Sequence, residues 1–585
     1  MQKRFHKIDA EQKKDLLRYI ILFISGITPF LIPLIKIGRT CLVRDWGYFN
    51  TISLVVHSSV WHYHVFPIHN PWALGGIDVL ANPQSRVFSP LGIYDILFTA
   101  PYANLFALIT LGIVGSFGFY KLMRHLNISK NIAVAGSIVF IHASWFTLHF
   151  SEGHIVFGSF MLIGLAFYYI LRIQEKNFKI YYALLNAFYL LDGAIYAFIF
   201  TNLLLVFAIV VCTNQLRPGR FARSLFTQWK TTLISLFIFI SLSSAKLLPF
   251  LMQQRSRTPV LEFVRFPFIY LLHCLFDPFQ DIMKEVDGIT LPFKFHEIGV
   301  YMGALALILI AVFLVVTRKR KFIPYLLIAV FFFWVGSGWF SQLNPWHLFQ
   351  KIPVVNNAHV QSRLFIISYL IFAVLLCFAL DHFKTRLRPA FFYPIIIFLI
   401  VESLFVSSYP FYRVFSFDDS TCRTDMFSKM ITSTTIDKTV ARASADWGFD
   451  FRHYFDKNTG AKDSGEPAPV HGDIKSVDDS TYKGEIYLTK GRGKAVMESY
   501  TPGKIHIRYA LDTLSEIQFN TNYLLGWKTN DKNLKVYEKE GLLTIIPDNL
   551  TGEADIIYRP SYLYVIFPLF LIGLIVTVIM LIKRK

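Results

Sequence analysis

Three polar residues at the ends of apolar segments are the first candidates for chemistry. Asp45 follows the first apolar segment, and Glu152 and His154 lie in a short polar turn between the third and fourth. Carboxylate and imidazole groups together suit a divalent cation such as Mg²⁺ or Mn²⁺, so these three residues form a candidate metal site. The simpler alternatives are an interfacial ion pair between Asp45 and Arg44, and an ordinary polar hairpin turn at Glu152 and His154.

Three arginines are candidates for binding phosphate. Arg255 and Arg257 follow the seventh apolar segment, and Arg363 begins the tenth. A guanidinium can hold a lipid phosphate through two parallel hydrogen bonds. The alternative is that these long side chains extend to the lipid headgroups.

The aromatic stretch after Asp45 predicts an amphipathic helix. His57, Trp61 and His64 share one helical face, and Trp61 and Tyr63 would anchor that helix in the membrane interface. A zinc site on this face would need a third clustered ligand, which the sequence does not offer. Asp192 lies within an apolar stretch, and acids in such stretches are functional candidates, although the following glycine indicates a turn.

The composition indicates a polytopic membrane protein. The chain has 585 residues, of which 54% are hydrophobic and 17% charged, whereas soluble proteins average about 25% charged residues. Apolar runs of roughly 17–21 residues, the length that crosses a bilayer, recur along most of the chain. The first run has no small-residue cleavage site, so we expect a retained anchor and not a cleaved signal peptide.

The net charge of +19 does not indicate a nucleic-acid partner, because it lies mostly in short loops. Residues 411–560 are nearly balanced, with 20 Lys+Arg against 22 Asp+Glu. The excess of positive charge lies in loops between apolar segments, as expected for loops on the cytoplasmic side of a membrane. The five cysteines are scattered and predict neither a disulfide framework nor a metal site.

About twelve membrane crossings make every basic loop cytoplasmic. This arrangement places both termini in the cytoplasm. The predicted crossings are 19–37, 101–120, 131–149, 155–171, two within 180–213, 231–250, 298–316, 322–340, 364–380, 391–409 and 561–581. The sequence thus predicts a cytoplasmic tail (1–18), a transmembrane domain (19–409) with an extracytoplasmic loop at 38–100, an extracytoplasmic domain (410–560), and a final helix with a basic tail (561–585).

Residues 410–560 predict a β-rich domain before the last crossing. From Gly484 onward, short segments alternate apolar and polar residues, as in Lys504–Tyr509 and Leu534–Tyr537. Turn residues separate these segments, a pattern typical of an antiparallel β-sandwich. Residues 411–480 are less regular.

Several short motifs occur in a fixed order along nearly the whole chain. They are Arg44-Asp45, Asn70-Pro71-Trp72, Gly75-Gly76, Ala81-Asn82-Pro83, Ser244-Ala245-Lys246-Leu247-Leu248-Pro249, Glu297-Ile298-Gly299-Val300-Tyr301-Met302-Gly303, Ile352-Pro353, Gln361-Ser362-Arg363-Leu364-Phe365, Tyr523-Leu524-Leu525-Gly526-Trp527-Lys528, Gly541-Leu542-Leu543 and Tyr558-Arg559-Pro560. In this order they resemble the YfhO-type family of bacterial membrane proteins, within the GT-C class of glycosyltransferases. The stretch before Arg363 has fewer prolines than that family's loop.

The resemblance implies an inverting hexosyltransferase in the bacterial plasma membrane. It implies a polyprenyl-phosphate-linked sugar as donor and an extracytoplasmic cell-envelope glycan or polymer as acceptor. Asp45 then corresponds to the catalytic base, Glu152 and His154 assist it, and Arg363, Arg255 and Arg257 bind the departing phosphate. The alternatives are a transporter or flippase of a lipid-linked glycan and a non-catalytic envelope assembly protein. Transporters usually contain internal repeats, which the sequence does not show.

Overall fold

Long helices make up most of the structure. It is a computed structural model that describes residues 10–36, 45–100, 102–212, 216, 218–253, 263–282, 294–352, 355, 360–415, 441–443, 459–461, 472–475 and 479–583. The α-helices are α1 Ala10–Ile27, α2 Leu31–Lys36, α3 Asp45–Trp61, α4 Gly92–Leu97, α5 Tyr102–His125, α6 Lys130–Ile141, α7 Ser144–Glu152, α8 Ile163–Leu171, α9 Lys176–Leu191, α10 Ile195–Val211, α11 Pro218–Thr227, α12 Trp229–Gln253, α13 Phe268–Phe276, α14 Phe295–Ile298, α15 Ala304–Thr317, α16 Ile323–Ser337, α17 Trp346–Phe349, α18 Phe365–Phe383, α19 Pro389–Phe415 and α20 Leu563–Ile582. Short 3₁₀ turns at Thr28–Phe30, Ile155–Leu162, Arg320–Phe322, Ser341–Leu343 and Gln361–Leu364 extend or join them.

Eight helical segments among the described residues are long and apolar enough to cross a membrane. They are Ala10–Lys36, Tyr102–His125, Lys130–Glu152, Trp229–Gln253, Arg320–Ser337, Gln361–Phe383, Pro389–Val414 and Leu563–Ile582. Three shorter apolar helices accompany them, at Ile155–Leu171, Ile195–Val211 and Ala304–Thr317. These helices fit the multi-pass membrane protein that the composition predicts.

Small residues allow the first helices to pack closely. α1 crosses α5 where Gly26 meets Gly112, and a Cβ atom on Gly26 would lie 2.7 Å from the carbonyl carbon of Gly112. Such small-residue contacts are typical of helix pairs in membranes, because close approach maximises van der Waals contact. Ser25 and Ser116 share a hydrogen bond of 2.9 Å across the same interface.

The helix predicted for the interface is longer and more buried than the sequence indicates. It begins at Asp45, and most of its residues from Trp46 to Val56 are buried within the protein. The carbonyl oxygen of Ile96 accepts hydrogen bonds from Nδ1 of His57 at 3.1 Å and from Nε1 of Trp61 at 2.7 Å. His64 lies beyond the helix end with φ +53°, so the predicted face of three residues does not form on one helix.

Two four-stranded antiparallel sheets form the C-terminal β region. In chain order, the strands of the described residues are β1 His69–Asn70, β2 Ile77–Asp78, β3 Ala441–Ala443, β4 Thr459–Ala461, β5 Ile486–Leu488, β6 Gly493–Thr501, β7 Lys504–Leu511, β8 Ile517–Asn522, β9 Trp527–Thr529, β10 Leu534–Lys539, β11 Leu542–Pro547 and β12 Thr551–Tyr558. β1 pairs with β2, β3 pairs with β4, and β5 to β12 make up the two four-stranded sheets. The sheet orders are β10-β11-β8-β5 and β6-β7-β12-β9. Buried residues of both sheets, such as Ile507 and Phe519, belong to one hydrophobic cluster. The strands therefore lie where the alternating pattern predicts them.

The loop after α3 packs against this β region. Trp72 and Val79 belong to the same hydrophobic cluster as the β strands. Asp78, on β2, accepts hydrogen bonds from the hydroxyl of Tyr558 at 2.6 Å and from the hydroxyl of Tyr562. Burial raises the pKa of Asp78 although both hydroxyls act to lower it. This buried carboxylate joins the loop to the last strand and to the start of α20.

Candidate functional site

The first turn of α3 carries Asp45 and is held in place by its neighbour Trp46. An acidic side chain is favoured at a helix N-terminus, where it meets the positive end of the helix dipole. The Trp46 side chain is buried, and its Nε1–H donates to the carbonyl oxygen of Phe150 at 2.8 Å. The start of α3 is therefore fixed against the C-terminal end of α7.

A glycine turn brings Glu152 and His154 to the same place. Gly153 ends α7 with φ +106°, and its N–H donates to the carbonyl oxygens of His149 and Phe150. A Cβ atom here would lie 2.7 Å from the carbonyl carbon of Asp45, so only glycine fits. The turn thus directs His154 toward the start of α3.

Asp45 and the two histidines of this turn form a hydrogen-bonded chain. The Oδ2 atom of Asp45 lies 3.0 Å from Nε2 of His154, and Nδ1 of His154 lies 2.8 Å from Nδ1 of His149. Burial alone would lower the pKa of His154, but the hydrogen bond with Asp45 and the charges of Asp45 and Glu297 raise it overall. His154 therefore carries its proton more readily than an ordinary histidine.

The short helix α14 adds a second imidazole and a buried carboxylate. His296 lies with its Nδ1 atom 3.9 Å from Oε2 of Glu152 and its Nε2 atom 3.9 Å from Oε1 of Glu297. The ring centroids of His154 and His296 are 5.5 Å apart. α14 precedes the apolar helix α15, so it presents these side chains at the end of another apolar segment.

Arg363 makes a buried ion pair with Glu297. Its Nε donates to Oε2 of Glu297 at 2.7 Å, and one terminal nitrogen donates to Oε1. The guanidinium also lies over the rings of Phe157 and Tyr196, at 4.8 and 4.7 Å. Burial acts to raise the pKa of Glu297, but the charge of Arg363 and its hydrogen bonds hold that pKa well below its usual range. Glu297 is therefore an anion.

These six residues form what we name the histidine–carboxylate cluster: Asp45, Glu152, His154, His296, Glu297 and Arg363. The structure brings Asp45, Glu152 and His154 together, as expected for a shared site, and it joins Arg363 to them through Glu297. Arg255 and Arg257, the other two predicted phosphate ligands, lie outside the described residues.

The sequence alone did not identify His149, His296 and Glu297 as members of the site. One signal was present, because His296 and Glu297 precede an apolar segment just as Glu152 and His154 do. The partner of Arg363 was not foreseen, since nothing in a linear sequence pairs residues 297 and 363. This pairing changes the electrostatics of the site, because the positive charge of Arg363 is balanced by an adjacent carboxylate.

A second polar network lies beside the cluster, under the loop that joins α3 to α4. Arg86 makes two hydrogen bonds to Asp95, at 2.8 and 2.6 Å, and one to Asn104 at 2.7 Å. Asn104 in turn donates to Asn50 of α3 at 2.9 Å. This network lines a cavity together with Asp192, whose carboxylate accepts hydrogen bonds from two serine hydroxyls. It fixes α3, and hence Asp45, against the first turns of α5.

No protein-family model matches the chain, and no curated protein matches it.

Proposed function

We propose that the chain is a membrane glycosyltransferase of the GT-C type. It transfers a hexose from a polyprenyl-phosphate donor to an extracytoplasmic cell-envelope glycan or polymer. The observation that carries the proposal is the cluster itself. Residues predicted to act on the substrate, from three distant parts of the sequence, lie within one cluster at the ends of apolar helices. The resemblance to the YfhO-type family agrees with this arrangement.

Asp45 is the proposed catalytic base. The ion pair with His154 uses Oδ2 of Asp45, and a carboxylate has a second oxygen that can accept a proton. In the reaction, the acceptor hydroxyl loses its proton to Asp45 as its oxygen attacks the anomeric carbon. The bond between that carbon and the phosphate oxygen breaks, and the phosphate leaves with the bonding electrons. Attack opposite the leaving group inverts the anomeric centre.

Arg363 is the proposed partner of the donor phosphate. The fork to Glu297 uses two of the five N–H groups of a guanidinium. The same fork and the two aromatic rings fix the plane of the guanidinium, so Arg363 is oriented before a substrate arrives. Fixed donors stabilise the charge of a leaving phosphate without reorganisation during the reaction.

Twelve crossings remain the proposed topology. The eight long helices and the three shorter apolar ones supply eleven segments, and α9 (Lys176–Leu191), with its buried apolar face, supplies the twelfth. Both termini are then cytoplasmic and the β region is extracytoplasmic. The shared core of the two four-stranded sheets favours a β-sandwich.

A transfer assay with purified protein tests the proposal. The protein is reconstituted in liposomes with radiolabelled polyprenyl-phosphate hexoses, offered one at a time, and with a cell-envelope fraction as acceptor. We expect donor-dependent transfer that falls by at least 10²-fold in Asp45→Asn, because the amide cannot accept the proton. The matched control is Asp473→Asn, at a site whose side chain is 73% exposed.

Two results would count against the proposal. Transfer that is unchanged in Asp45→Asn would remove Asp45 as base. Translocation of the intact lipid-linked sugar across the bilayer, without transfer, would identify a flippase instead.

A further inference from the structure

The histidine–carboxylate cluster has the donor atoms of a transition-metal site. One potential ligand atom each from His154, His296 and Glu297 lies within 4.8 Å of the other two. The Oδ2 atom of Asp45 lies 3.0 Å from Nε2 of His154, on the edge of the same group. Ligand atoms around a tetrahedral zinc ion are roughly 3.4 Å apart. Small side-chain rotations would therefore bring these atoms to coordination distance.

We propose that this cluster binds one zinc ion through His154, His296, Glu297 and Asp45. The kind of donor decides between metals. Mg²⁺ prefers an all-oxygen shell, whereas two imidazoles with carboxylates suit Zn²⁺. The sequence predicted Mg²⁺ or Mn²⁺ held by Asp45, Glu152 and His154, a set with one imidazole. The second imidazole, from His296, is the feature that shifts the preference to zinc.

The groups behind the ligands support the same assignment. A zinc-bound imidazole is commonly oriented by a partner at its other nitrogen. His149 contacts Nδ1 of His154 at 2.8 Å, which leaves Nε2 directed toward Asp45. Glu152 faces Nδ1 of His296 at 3.9 Å, which leaves Nε2 directed toward Glu297. Glu152 thus becomes an orienting group in this site and not a ligand.

Burial of the ligands is uneven, which leaves an approach for a substrate. The side chain of Glu297 is 4% exposed, while those of His296 and Asp45 are 14% and 20% exposed. Zinc can expand to five-coordinate in a transition state, so a substrate oxygen can approach the ion beside the four protein ligands. The role of the ion rests on the proposed function: when bound, it would stabilise negative charge on the leaving phosphate. Metal binding itself does not depend on that function.

Metal content of the purified protein tests the inference directly. The full-length protein in detergent is stripped with a chelator, dialysed, and loaded with ZnCl₂, MnCl₂ or MgCl₂ before elemental analysis and thermal unfolding. We expect about one zinc per chain, a higher unfolding temperature with Zn²⁺ than with Mg²⁺, and at least 10²-fold weaker zinc binding in His296→Gln. His273→Gln is the matched control, because His273 also faces a carboxylate, Asp277 at 3.5 Å, but lies outside the cluster.

A second variant guards against misfolding of the first. Glu152→Gln removes only an orienting group, and we expect zinc binding to weaken by about 10–100-fold. The inference is overturned if the wild type retains no zinc, if magnesium binds more tightly than zinc, or if zinc binding is equal in wild type and His296→Gln. Zinc binding without sugar transfer would refute the proposed function alone, and sugar transfer by a wild type that binds no zinc would refute the zinc site alone.

Discussion

Replacing Glu297 by glutamine should destabilise the protein far more than the same change in an exposed pair. The Arg363 and Glu297 side chains are only 6% and 4% exposed. The glutamine keeps the shape of the side chain but leaves the guanidinium buried without its counter-charge. Breaking a buried pair in this way costs about 3–5 kcal/mol. A unit of 150–250 residues loses about 2–4 °C per kcal/mol, so we expect the unfolding temperature to fall by roughly 6–20 °C.

The β region offers a control with a matching Nε contact and different burial. Arg508 and Glu553 also meet through Nε at 2.7 Å, but their side chains are 62% and 52% exposed. Glu553→Gln should therefore cost less than about 1 kcal/mol. Both variants are measured by thermal unfolding in detergent with chelator present, so that metal binding does not contribute. Equal shifts for Glu297→Gln and Glu553→Gln would refute the burial of the Arg363–Glu297 pair.

Two further variants test how the site is positioned. Gly153→Ala places a side chain at φ +106° against the backbone of Asp45, so we expect about 1–2 kcal/mol of destabilisation and roughly 10²-fold slower transfer. Unchanged transfer would contradict this expectation. The control is Gly219→Ala, because a Cβ atom on Gly219 would have no atom within 4 Å. Tyr562→Phe removes one donor from buried Asp78 and should lower stability by about 1–3 kcal/mol. Tyr564→Phe, at an exposed position, should leave the unfolding temperature unchanged, and equal effects of the two would refute the role of the Asp78 contacts.

Local patterns predicted the long apolar helices and the β strands after Gly484. Apolar runs of membrane-spanning length lie within the long helices, and alternation from Gly484 onward lies within the β strands. Asp45, Glu152 and His154 could be grouped because each ends an apolar run on the same predicted side of the membrane. That argument needs only charge and hydropathy along the chain.

The remaining members of the site depend on tertiary contacts that periodicity does not encode. Glu297 and Arg363 meet only because α14 packs against the turn before α18. The prediction that His57, Trp61 and His64 share one helical face was wrong for a related reason. Helical spacing predicted one face, but the helix ends at Trp61, whose Nε1–H donates to the carbonyl oxygen of Ile96, and His64 takes a positive φ.

The most direct test of the central claim is a structure of the full-length protein with a non-hydrolysable polyprenyl-phosphate sugar analogue. We expect the phosphate to lie within hydrogen-bond distance of Arg363, and the anomeric carbon to lie between that phosphate and the carboxylate of Asp45. An analogue bound elsewhere, with no polar contact to Arg363 and with its anomeric carbon remote from Asp45, would contradict the assignment of the histidine–carboxylate cluster as the catalytic centre.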